Sequence, residues 1–276
     1  MSKKIIVIGS GFSSLSAATY LSKHGYHVTI LEKNEDFGGR ARQLKSDGFT
    51  FDLGPSFYWM PDVFEKYFRD FGKDVKDYYE LIRLDPAYKV FFNNNETISI
   101  PGSFEKILNT FENIEEGSSL KLKKFIREAE INYSIAMGGI VYKPGFSIFE
   151  LITLQTVKRV KYFITTIKSE VSKLFKNNNL KKILEFPVLF LGAKPENTPA
   201  FYNIMNYADF KLGTWYPKDG MYSVVKAMVR LAEENGVRLI SNQNVEEIIE
   251  EDNKVKGIIA NGEKIYCDIV VSGADY

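Results

Sequence analysis

Cys267 is the only cysteine in the chain, so no internal disulfide is open to it, and that usage suits a reducing compartment. Its place just before the apolar run Ile269 to Val271 predicts a buried structural thiol rather than a nucleophile. Only two histidines are present, His24 and His27, both beside a helix-to-strand turn, so they read as surface residues and a His/Cys metal site is not expected. No apolar run is long enough to span a bilayer. Only the short polar segment Ser2 to Lys4 separates Met1 from the first apolar run, so no secretory signal is expected. A formal net charge of +1 supplies no basic field for nucleic acid, and neither an internal repeat nor a low-complexity linker is visible. An ordinary apolar content in 276 residues is enough for a sizeable core and two lobes.

The informative stretch is "KKIIVIGSGFSSLSAATYLSKHGYHVTILEKNEDFGGRAR", Lys3 to Arg42. Lys4 to Ile8 is a short β-branched run without polar alternation, which suits a parallel strand covered on both faces. Gly9 and Gly11 break it. From Ser13 to Lys23 the apolar residues Leu15, Ala18 and Leu21 fall at helical spacing, Gly25 supplies a stop, and Tyr26 to Leu31 is a second β-rich run. Such a strand–turn–helix–strand unit brings bare backbone amides and a helix N-terminus to a pyrophosphate. Glu32 follows the second strand, where a carboxylate accepts hydrogen bonds from a ribose and repels the extra phosphate of NADP, which leaves FAD or NAD. Ser14 stands where the glycine fingerprint has its third glycine. A glycine turn in an ordinary α/β protein is the alternative at this point.

The residues beyond Glu32 decide between the two cofactors. Gly38-Gly39-Arg40 resembles the signature of the FAD-dependent amine oxidase and carotenoid desaturase superfamily, and "GFTFDLGPSFYWMPDVF", Gly48 to Phe64, resembles its bacterial phytoene desaturase branch. A third match, "WYPKDGMYSVVKAMVRLAEENGVRLISNQNVEEIIEEDNKVKGIIANGEKIYCDIVVSGAD", lies near the end; Asp219 replaces a usual glycine there, so that loop is given no cofactor role. The resemblance covers both ends of the chain well and the middle loosely. It implies an α/β fold: a Rossmann-like FAD-binding domain of the glutathione-reductase type, discontinuous over 1–79 and 218–276, with an inserted α+β lobe at 80–217 for substrate and membrane. The cofactor residues it implies are Gly9, Gly11, Phe12, Ser13, Ser14, Glu32, Lys33, Gly38, Gly39, Arg40, Gly54, Pro55, Ser56 and Val245.

Family members continue past Tyr276. The resemblance therefore implies an N-terminal portion or truncated form that, alone, carries little FAD and leaves phytoene unconverted.

The activity implied is FAD-dependent desaturation of phytoene. Related alternatives are a carotenoid isomerase, a retinol saturase-like flavoprotein, and an inactive dinucleotide-binding fragment. No side chain stands out as a catalytic acid or base. Phe57, Tyr58 and Trp59 follow the segment that passes the flavin ring in the family, and read equally as core or as ring-edge aromatics.

In the middle segment Val160, Phe163, Ile164, Ile167, Val171, Leu174 and Phe175 fall at intervals of three and four, among six cations and one acid, Glu170. That predicts one basic amphipathic helix. Its apolar stripe packs either on the protein's own core or on a membrane, and the lipid-dissolved C30 or C40 polyene implied by the resemblance puts peripheral docking at the cytoplasmic face of the membrane on an equal footing with core packing.

Overall fold

The computed structural model describes residues 2–93 and 95–274, with the side chains of Ile148 and Leu151 left aside. Asn94, in the turn expected at Asn93 to Asn95, and the last residues Asp275 and Tyr276 lie outside the described residues.

The elements run in the order β1 (Lys4–Ile8), α1 (Phe12–Lys23), β2 (His27–Leu31), β3 (Arg42–Ser46), β4 (Phe49–Leu53), α2 (Pro61–Asp70), β5 (Leu81–Arg83), β6 (Tyr88–Phe91) and β7 (Thr97–Ile100). Helices follow: α3 (Phe104–Ile114), α4 (Ser118–Met137), α5 (Leu154–Val157), α6 (Val160–Ile164), α7 (Ile167–Leu174), α8 (Asn178–Glu185) and α9 (Ile204–Tyr207). The chain closes with β8 (Trp215–Pro217), α10 (Tyr222–Glu234), β9 (Arg238–Ile240), β10 (Val245–Glu251), β11 (Lys254–Ala260), β12 (Glu263–Tyr266) and β13 (Ile269–Ser272). Two compact units divide it: residues 1–58, 62–82 and 216–276 form the first, 59–61 and 83–215 the second.

In the first unit a parallel sheet has the order β13-β1-β2-β9. Ile5, Ile6 and Val7 are all buried, because α1 covers one face of the sheet while the antiparallel meander β10-β11-β12 covers the other. That two-sided burial is why β1 reads as an unbroken apolar run. Leu15 and Ala18 on α1 and Val224 and Met228 on α10 are buried, and the two helices pack together. The three hairpin turns all use residues that tolerate positive φ: Asp47 and Gly48, Asp252 and Asn253, Asn261 and Gly262. The expected hairpin at Asp47-Gly48 forms, with Leu44 opposite Phe51.

The second unit packs helices around a core that includes Phe111, Leu122, Phe125, Val171, Leu184 and Phe210. Its helices carry side-chain caps: Ser103 accepts from the Lys106 N–H, Thr166 from Ser169, and Asn177 from Asn179 and Leu180.

The single basic helix expected across Val160 to Phe175 is broken in two. Thr166 caps α7, the Ala200 N–H donates to the Thr165 carbonyl and the Ile167 N–H to the Thr198 carbonyl, so residues 165–167 bond to 198–200 instead of continuing a helix. The break splits the apolar stripe. Ile167, Val171 and Phe175 enter the unit's own core, whereas Val160 and Ile164 stay exposed. Among the described residues no helix is long and apolar enough to cross a membrane, and no cluster of His, Cys, Asp or Glu could hold a metal ion.

Candidate cofactor site

The site is built at the carboxyl end of β1. Gly9 has a φ of +83° and turns the chain off the strand toward α1. Gly11 caps α1 without any side-chain hydrogen bond, and no acid lies in the first turn, so the helix presents bare N–H groups and an uncompensated positive dipole end. Gly39, at φ +60°, lies so close that an added Cβ would stand 3.1 Å from the Gly11 Cα. Gly54, at φ +102°, lies against the next peptide in turn; a Cβ there would overlap the Arg40 carbonyl oxygen. Three stretches far apart in sequence, 9–11, 38–40 and 54, are thus stacked backbone to backbone, at distances that only glycine permits.

Glu32 organises this stack. It is 3% exposed and follows directly on β2, beside the end of β1. Its Oε2 accepts from the Ser10 N–H at 2.9 Å and the Ser10 hydroxyl at 2.6 Å, and its Oε1 from the Asn34 N–H at 3.0 Å and Asn34 Nδ2 at 2.6 Å. The Ser10 hydroxyl oxygen accepts from the Gly38 N–H at 3.1 Å, which ties the first glycine turn to the second. Burial by itself would raise the Glu32 carboxyl, but the four donated bonds outweigh it and the net shift is downward. Glu32 is therefore an anion at neutral pH. The two backbone donors fix its orientation, while the Ser10 and Asn34 side chains are rotatable donors that a ribose diol can replace.

The remaining expected residues take distinct places. Ser14 is buried on α1 where it faces Gly273 at the end of β13; a Cβ on Gly273 would overlap the Ser14 hydroxyl, so close helix-to-strand packing is kept by a glycine on the strand. Its hydroxyl is buried without a hydrogen-bond partner. Ser13 and Lys33 are exposed, as is Arg40 on the second turn. The half-buried Phe12 ring packs edge-to-face on Phe64, centroids 6.1 Å apart. Val245 opens β10 just after a segment whose Gln243 N–H donates to the Glu32 carbonyl at 2.8 Å, and it packs against the cluster of Ile6, Leu31, Ile258 and Ala260. Pro55 and Ser56 continue from Gly54.

Tyr58 is core. It is buried, its hydroxyl lies 2.7 Å from that of Tyr79, and its ring packs on Phe64. The two histidines are exposed as expected, and Cys267 is half-buried, its thiol raised first by burial.

Two residues escaped the sequence reading. Ser10 occupies a variable position of the fingerprint, so nothing in the motif marks it. Asp52 accepts from the Tyr216 hydroxyl and the Met221 N–H, each at 2.7 Å, and thereby seats the start of α10 on β4. Burial opposes its charge, but those bonds hold its carboxyl below the usual range. A Cβ on Gly220 would come within 2.9 Å of Asp52, so the Asp219-Gly220-Met221 loop is shaped around Asp52.

A bare helix start, two glycine turns in contact and a buried acid at the end of the second strand define a dinucleotide-binding domain, and the cradle fits a pyrophosphate with its ribose. The chain belongs to the flavin containing amine oxidoreductase family, whose profile matches residues 12–276, and FAD is the cofactor this membership indicates.

Similar proteins include the carotenoid 3,4-desaturase of Haloarcula japonica, 39% identical over 99% of this chain and 56% of its own length. The zeta-carotene-forming phytoene desaturase of Myxococcus xanthus is 30% identical over 99% of the chain and 53% of its own. A 4,4'-diapophytoene desaturase of Staphylococcus aureus is 32% identical over 96% and 54%. The chain spans about half the length of these curated relatives. Among solved structures, an oxidoreductase from Methanosarcina mazei aligns with a TM-score of 0.61 at 19% identity, covering 98% of this chain and 58% of that one. The CLA-producing fatty acid isomerase from P. acnes aligns at 0.62 and 17%, covering 99% and 62%. These two share the fold.

Proposed function

We propose that the protein takes part in FAD-dependent desaturation of a C30 or C40 carotenoid precursor such as phytoene, with the first unit as the FAD domain and the second as the substrate lobe. The observation that carries this reading is the stacked backbone cradle around Glu32 in a chain whose carotenoid-desaturase relatives match it from end to end. When bound, the flavin supplies a hydride acceptor for an unactivated CH–CH bond. The protein's own share is to hold and orient. Gly9, Gly11 and the N-terminal amides of α1, from Phe12 to Ser14, receive the pyrophosphate, and Gly38, Gly39 and Arg40 close on it with a guanidinium suited to paired phosphate contacts. Glu32 accepts the ribose hydroxyls, Lys33 and Val245 flank the adenosine, and Gly54-Pro55-Ser56 pass the flavin ring.

The test is expression in a phytoene-accumulating host, alone and together with the portion that the Haloarcula japonica relative carries beyond the matched region. Carotenes with longer conjugation are expected from the pair. Glu32→Ala should weaken FAD binding by about 1 to 3 kcal/mol, the scale of lost charge-assisted hydrogen bonds, and lower pigment with it. Unchanged FAD affinity in that variant would remove Glu32 from the ribose.

Peripheral membrane docking at the cytoplasmic face belongs to the same reading. Phe146, Phe149, Leu154 and Ile164 are 91%, 74%, 85% and 76% exposed, on a stretch that also carries the exposed cations Lys143, Lys158 and Lys161. Large apolar groups left in water beside lysines suit the interface of an anionic bilayer. Combined Phe146→Ser, Phe149→Ser and Leu154→Ser should lower partitioning onto phosphatidylglycerol vesicles by about tenfold or more, since each side chain contributes roughly 1.5 to 3 kcal/mol when buried. Equal sedimentation of parent and variant, with equal thermal unfolding, would place the docking surface elsewhere.

A further inference from the structure

The second unit contains a closed circuit of side chains that packing alone does not require. Trp59 Nε1 donates to the Thr214 hydroxyl at 2.8 Å, that hydroxyl donates to Asp209 Oδ1 at 2.9 Å, and the Tyr88 hydroxyl donates to Asp209 Oδ2 at 2.6 Å. From Tyr88 the path returns through rings: Tyr88 to Phe186 at 6.0 Å, Phe186 to Phe190 at 5.2 Å, and Phe190 edge-to-face with Trp59 at 5.2 Å and 89°. Asp209 is 3% exposed and sits in a π-type turn, Ala208–Leu212, a local geometry that recurs at functional sites. The other end of the circuit is open, because Phe190 lies between Leu189 and Leu191 and all three are exposed.

We propose that Asp209 is a positioning residue which, through Thr214, fixes the Trp59 indole as an aromatic wall that, with Phe190, receives the conjugated polyene. This rests on the carotenoid reading above. A threonine hydroxyl has one hydrogen; once that hydrogen is committed to Asp209, the oxygen's lone pairs face the indole N–H, and the ring is held in one orientation. The face of an indole is a flat, polarisable surface matched to a rigid polyene. Burial raises the Asp209 carboxyl to about 7, a desolvation cost that an apolar residue of the same size would avoid.

The test uses the full chain carrying Trp215→Phe, which leaves Trp59 as the sole tryptophan, and the conjugated tetraene cis-parinaric acid as energy acceptor. Transfer from Trp59 to the bound tetraene is expected. Thr214→Val and Asp209→Leu should each weaken tetraene binding about tenfold and shift Trp59 emission to the red, with the double variant no worse than the more affected single one, because both break one path. Asp209→Asn, which keeps an oxygen toward Thr214, should stay within about threefold. Tetraene bound without transfer from Trp59 would overturn the wall. Transfer and affinity unchanged in Thr214→Val and Asp209→Leu, or single losses that simply add in the double variant, would overturn the positioning role and leave the wall. No tetraene binding by a parent that unfolds cooperatively would overturn the carotenoid reading and this inference with it.

Discussion

Asp209→Asn should gain stability relative to the parent by on the order of 4 kcal/mol as the pH rises from about 4 to about 8. The cause is the buried carboxyl. Desolvation lifts its pKa from 3.8 to about 7, against the hydrogen bonds from Tyr88 and Thr214 that pull it down. Between those two values the folded chain holds a proton that the unfolded chain has released, so the parent loses stability with rising pH through that window and levels off above it. Asparagine does not titrate, and its oxygen still accepts from Thr214. Carboxylates whose pKa is depressed act with the opposite sign and at lower pH: the stability from Glu32, Asp52 and Glu234, the last held at about 2 by Tyr78 and Lys73, is lost only as pH falls through their folded values. They are common to both proteins and cancel in the comparison. Urea unfolding of parent and variant at pH 5, 6, 7 and 8 reads the difference directly, and parallel pH curves would mean that Asp209 is ionised throughout.

Gly54→Ala should cost about 3 kcal/mol or more and, in the chain paired with the portion its Haloarcula japonica relative carries beyond the matched region, abolish FAD retention. Two penalties act together: a positive φ disfavours any residue with a Cβ by roughly 1 to 2 kcal/mol, and the obstacle at Gly54 is the Arg40 carbonyl, which cannot rotate aside as a side chain would. Relief requires moving the 38–40 turn, and that turn touches Gly11 through Gly39. The comparison variant is Gly48→Ala. Gly48 also has positive φ, +81°, yet a Cβ there meets nothing within 4 Å, so only the strain of about 1 kcal/mol applies and the cradle is untouched. Equal losses in the two variants, by thermal unfolding and by flavin absorbance, would show that the stacking of Gly54 on Arg40 has no role.

The sequence by itself determined the local elements of the first unit. The apolar run at Lys4 to Ile8, the glycines after it, the helical spacing to Lys23 and the turn residues at Asp47-Gly48 and Asn261-Gly262 all carry short-range physics, namely burial on two faces, absence of Cβ and tolerance of positive φ. It also placed Glu32 at the end of β2. Tertiary structure alone decided which residues 9–11, 38–40 and 54 would touch, because backbone-to-backbone contact between glycines leaves no pattern along the chain. It decided Ser10 and Asp52, whose roles depend on partners 22 and about 170 residues away. It broke the basic helix at Thr165-Thr166, where the segment 198–200 offered bonds that competed with the next helical turn. And it buried Asp209, a residue that reads as one more polar position in sequence and becomes a near-neutral acid only where Tyr88 and Thr214, from 121 residues before it and 5 after it, close around it and exclude water.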